Sequence, residues 1–118
     1  MDAAHALADL TEISPQIEAA VIFDDAGAVE GSTMPDDERS REIARLGSRL
    51  LEEAGRVRSD EASPVSQLQV MLGAGSVFLL REGGHSIAAT TGEEPTVGLV
   101  FYDLRSCLRS LRESDGAA

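Results

Sequence analysis

Ile17-Glu18-Ala19-Ala20-Val21-Ile22-Phe23-Asp24-Asp25-Ala26-Gly27-Ala28-Val29-Glu30-Gly31-Ser32 holds an apolar run, an Asp-Asp-Ala-Gly turn and a second, shorter run. Short apolar runs bounded by turn residues suit strands, and Gly27 supplies the positive φ that a tight reversal needs. The stretch is read as a β-hairpin. It lies between two segments with helical periodicity, and that arrangement sets the frame for the rest of the chain.

Ahead of the hairpin, Asp2 can cap a short helix whose apolar positions Ala3, Ala6, Leu7, Leu10 and Ile13 recur at helical spacing until Ser14-Pro15 stops it. Behind it, Thr33-Met34-Pro35-Asp36 reads as a helix start, with the Thr33 hydroxyl as cap, an early proline and a carboxylate three residues on. That helix is expected over residues 36–57. A polar loop at 58–64 follows, then strands at 65–72, 76–81 and 85–91, joined by Gly73-Ala74-Gly75 and Glu82-Gly83-Gly84. Leu68, Val70 and Leu72 alternate onto one side of the first of these strands. Pro95 opens a closing helix with Val97, Val100, Phe101, Leu104, Leu108 and Leu111 on one face, and 114–118 is expected as a disordered tail. The order α-β-β-α-β-β-β-α predicts an α+β fold, with one five-stranded antiparallel sheet flanked by helices in a single domain over residues 1–113.

The helix at 36–57 carries two adjoining apolar stripes. Ile43, Leu46, Leu50, Ala54 and Val57 form one, and Ala44, Gly47, Ser48, Leu51 and Gly55 form the other. A helix lying on a single sheet needs one stripe, so the small-residue stripe is read as a close-packing surface for another helix. A wide buried face within one protomer is the plainer alternative. The remaining face carries Arg41, Arg45, Arg49, Glu52 and Arg56, where pairs such as Glu52 with Arg56 and Glu42 with Arg45 would contribute only a few tenths of a kcal/mol, about 0.3, each.

A length of 118 residues fits one core, and with only four aromatics that core is built from Leu, Val, Ile and Ala. The formal net charge of −11 disfavours nucleic-acid backbones, which bind to basic patches. Residues 1–37 hold nine carboxylates and no Arg or Lys, whereas six of the ten arginines fall between Arg39 and Arg58. Cys107 is the single cysteine, so no internal disulfide can form and a reducing cytoplasm is expected. The apolar runs fall far short of the roughly 20 residues of a membrane span, and the N-terminus lacks the pattern of a signal peptide.

Groups able to do catalysis or hold a metal are scarce. His5, His85 and Cys107 lie on separate segments, and each is read as structural or exposed. Gly73-Ala74-Gly75 has no following lysine and joins two strands, so it is a turn and not a phosphate loop. Asp24-Asp25-Ala26-Gly27 lacks side-chain oxygens at the alternate positions a calcium loop needs. Asp36-Asp37-Glu38 suits a helix N-terminus through its dipole. The residues therefore point to a non-enzymatic protein with no cofactor and no metal.

Taken together, Ala20 to Val29, the long helix from Asp36, Ser76-Val77-Phe78-Leu79-Leu80 with Ile87-Ala88-Ala89, and Pro95-Thr96-Val97-Gly98-Leu99-Val100 give the chain a resemblance to the Roadblock family, the small domains associated with dynein light chains and regulators of Ras-like GTPases. The resemblance spans nearly the whole chain and rests on the order and spacing of these segments. It implies a homodimer in which the second helices pack antiparallel and the strands after them pair edge to edge. Ala44, Gly47, Ser48, Leu51, Gly55, Leu68 and Val70 would then form the dimer interface, and Arg41, Arg45 and Arg49 part of a surface for a Ras-like GTPase. Bacterial members are often proposed as partners of such GTPases in signalling. One departure is the strand His85-Ser86-Ile87-Ala88-Ala89-Thr90-Thr91, which is less hydrophobic than the family pattern leads one to expect. The alternative function is a small-molecule sensor module of profilin-, PAS- or GAF-like architecture, which would enclose its ligand.

Overall fold

The computed structural model describes residues 2–57 and 66–117, with side chains through Glu113. The loop expected at 58–64 and the strand residue expected at 65 lie outside the described residues. The elements are α1 (Ala3–Ile13), β1 (Ile17–Asp24), β2 (Val29–Ser32), α2 (Asp37–Arg56), β3 (Gln67–Leu72), β4 (Gly75–Glu82), β5 (His85–Thr91) and α3 (Val97–Ala117). All five strands form one antiparallel sheet in the order β2-β1-β5-β4-β3. The fold is α+β, as the spacing of the segments predicts.

Local chemistry sets the element ends. Asp2 accepts the His5 N–H at 2.9 Å and caps α1. In the β1–β2 turn Asp24 accepts from the N–H groups of both Ala26 and Ala28 at 2.9 Å, and Gly27 takes a φ of 86°. The cap of α2 is Asp36, which accepts from Glu38 and Arg39, and not Thr33. The Thr33 hydroxyl accepts the Ala20 N–H at 2.9 Å instead, so it ties the end of β2 back to β1. Pro95 precedes α3 by two residues, and α3 runs on through most of the stretch expected as a tail.

The sheet has two unlike faces. On one, Ala20, Ile22, Phe78, Leu80, Ile87 and Ala89 meet α1 and α3, whose Leu7, Leu10, Leu104 and Leu108 are fully covered. Phe78 and Phe101 make an edge-on contact there at 5.0 Å between ring centroids. On the other face Val21, Phe23, Leu79 and Ala88 meet α2 alone. The weakly hydrophobic strand proves to be the centre of the sheet: β5 pairs with β1 on one side and β4 on the other, and Ser86 to Ala89 are buried. Small residues at the centre let helices approach both faces.

Candidate functional site

Helix α2 presents three flanks, and they are arranged differently from the sequence expectation. Its sheet-facing flank is the small-residue one: Ser40, Ala44, Gly47 and Leu51 are buried in the protomer. A Cβ added at Gly47 would lie 3.0 Å from Leu79 Cδ2 and 3.1 Å from Phe23 Cζ. The absence of a side chain at Gly47 therefore lets the helix lie close over two bulky sheet residues. Ala44, Gly47 and Leu51, expected at a dimer seam, are already used inside the chain. Ser48 and Gly55 are half-buried, and a Cβ at Gly55 would touch nothing within 4 Å.

The stripe expected on the sheet is the one left open. Leu46 is 51% exposed, Leu50 42% and Val57 82%, with Ile43 half-buried. Ile43, Leu46 and Leu50 form one wall of an apolar slot of about 320 Å³, whose other side runs from Ala19 on β1 past Thr90 and Val77 to Leu72 on β3. Leu68 and Val70 are half-buried, and their register partners Leu79 and Val77 put them on the α2 side of the sheet. Among the described strands β3 pairs only with β4, so its outer edge is open beside this slot. Periodicity marked both stripes as apolar. What could have ranked them is the bulk of Phe23 and Leu79, which demands a small helix surface opposite.

The third flank carries Arg41, Arg45 and Arg49, all exposed. Arg41 and Arg45, with Asp37 and Ser40, line one side of a cleft of about 650 Å³, and the β1–β2 turn, β2 and Met34 line the other. Among the described residues none of these three arginines forms an ion pair. The expected Glu42–Arg45 and Glu52–Arg56 pairs are not formed, and Arg56 bonds Glu53 at 2.8 Å instead.

The candidate reactive groups stay apart. His5 lies 4.0 Å from Asp9 on α1, and His85 Nδ1 lies 2.6 Å from Glu30 Oε1 across the sheet. The Cys107 thiol, buried between α3 and α1, is directed at the Ala6 carbonyl oxygen at 3.6 Å. Burial, with a smaller contribution from the Asp9 charge, pushes it up to about 11. Among the described residues no group of three His, Cys, Asp or Glu side chains could hold a metal ion, and no helix is long and apolar enough to cross a membrane.

Five antiparallel strands carry one long helix on one face and two helices on the other, a fold this chain shares with solved Roadblock/LC7 domains. Solved structures with that fold align along nearly the whole chain. A Roadblock/LC7 domain from Streptomyces avermitilis matches with a TM-score of 0.85 at 20% identity, over 97% of this chain and 98% of that one. MglB from Myxococcus xanthus matches at 0.74 and 11% identity, over 98% of this chain and 85% of its own. An MglB structure described as having a tetrameric arrangement matches at 0.74 and 14%, over 92% and 86%. No family profile and no curated protein matches the sequence.

Proposed function

We propose that this protein is a non-enzymatic, homodimeric scaffold or regulator that holds a Ras-like small GTPase. The observation that carries the reading is the open side of the sheet, where Leu46 and Leu50 stand half in water over an apolar slot beside the free edge of β3. Covering a half-exposed leucine contributes roughly 1 kcal/mol, and a second copy brings both an apolar helix flank and a strand edge to the same place. The dimer seam is thus reassigned to Ile43, Leu46 and Leu50, with Leu68 and Val70 of β3 beside it. The tetrameric MglB of the same fold supports self-association. The GTPase rests on the role the Roadblock resemblance implies, and Arg41, Arg45 and Arg49, which form no ion pair among the described residues, offer it a surface outside the seam.

Leu46→Glu and Leu50→Glu place charge in the seam and leave the sheet-facing flank untouched. Each is expected to turn a dimer into a monomer by sedimentation velocity with the far-ultraviolet circular dichroism unchanged. A wild-type protein that sediments as a monomer at high concentration contradicts the dimer. Pull-down of purified Ras-like GTPases, loaded with GDP or a GTP analogue, tests the partner, and capture of none in either state contradicts it.

A further inference from the structure

Strand β2 forms the opposite margin of the sheet from β3, with β1 as its sole hydrogen-bonded neighbour among the described strands. Alternate N–H and C=O groups of such a strand face outward and can accept another strand. The cleft beside β2 includes Val29 and Met34, both partly buried on the core under α2, and is rimmed by Arg41 and Arg45. Three of the carboxylates around it are engaged within the chain, while Asp25 and Asp37 make no side-chain bond among the described residues. Asp24 is held by Ala26 and Ala28, Asp36 by the N–H groups at the start of α2, and Glu30 by His85. Asp37 also lines the cleft, yet it makes no ion pair with either arginine. In a chain of net charge −11, two neighbouring guanidinium groups therefore remain without an acidic partner among the described residues.

We infer that β2 and this arginine flank form a docking site for an extended acidic segment of a partner protein, added to the sheet as a further strand beyond β2. Every second side chain of such a segment points toward α2. Alternate residues on a strand stand about 6.7 Å apart, and Arg41 and Arg45 are separated by four helical steps of about 1.5 Å, roughly 6 Å along α2. Carboxylates at alternate positions can thus meet both arginines while the main chain bonds to β2, the way strand addition divides affinity from specificity. The inference rests on reading the arginine row as a partner surface and does not require the β3 dimer.

The test is a titration of the ¹⁵N-labelled protein with a capped eight-residue peptide of alternating glutamate and valine, followed by amide shifts and hydrogen exchange. A lysine-valine peptide of the same length serves as control. Shifts centred on Val29–Ser32, Arg41 and Arg45, with slowed exchange on β2, are expected for the acidic peptide alone. The double variant Arg41→Gln/Arg45→Gln is expected to bind about tenfold more weakly, from two exposed charge pairs. Shifts centred on β3, equal binding of the lysine peptide, or no shifts at millimolar peptide each overturn it. Sedimentation of the same samples separates this outcome from the dimer: loss of dimer with β2 still responsive contradicts the seam alone, and a dimer with β2 silent contradicts this site alone.

Discussion

The two faces of the sheet are built from the same strands and end differently. The α1/α3 face is closed, with Ile22, Phe78, Leu80 and Ile87 fully covered by two helices. The α2 face is covered by one helix, and Leu46, Leu50 and Leu72 remain half exposed. One helix of about 10 Å diameter cannot roof five strands spaced about 4.8 Å apart. A chain that completes one side of its core and leaves the other short keeps an apolar strip available for association.

The largest way to strain that contrast is Phe78→Ala, which removes a ring from the closed side and its contact with Phe101. It is expected to cost roughly 3–5 kcal/mol in urea unfolding. A loss below about 1 kcal/mol would mean the closed side is not packed as described. Next comes the Cys107 thiol. Its folded pKa, about 11, lies above the ordinary 9.0, so the unfolded chain releases the proton first as pH rises. Stability is then lost progressively from about pH 9 to 11, up to roughly 2–3 kcal/mol. Cys107→Ala should flatten this alkaline limb relative to wild type in pH-dependent denaturation, and an unchanged limb would place the thiol in water.

A smaller effect is expected on the thinly covered side. Gly47→Leu pushes α2 off Leu79 and Phe23 and is expected to cost about 1–3 kcal/mol, read at one protein concentration so that any dimer contributes equally. Unchanged stability would show that α2 does not rest on the sheet through its small flank. The same substitution on the sequence expectation would have broken a dimer and left the protomer intact, so sedimentation and unfolding together separate the two arrangements.

Much of this was legible in the residues. Asp2, Ser14-Pro15, Gly27 and the glycine turns at 73–75 and 82–84 mark ends that local chemistry fixes, and the apolar periods between them give the element order. The cap of α2 was misplaced because Thr33 and Asp36 are both good caps, and Thr33 was drawn away by the Ala20 N–H on a neighbouring strand. The arginine row could be seen as one flank of a helix. That it borders the β2 margin depends on a strand order no local signal contains.

The sequence alone determined the kinds of element, their order and the presence of two apolar stripes on one helix, because caps, turns and periodicity act over a few neighbouring residues. Which stripe turns inward was decided only in the tertiary structure. Phe23 and Leu79 come from strands far apart in the chain, and their combined bulk leaves room for Ala44 and Gly47 but not for Leu46 and Leu50. Shape complementarity between distant segments chose the face: Gly47 sits against these two bulky side chains, Leu51 is buried farther along the same flank, and Leu46 and Leu50 were left half outside.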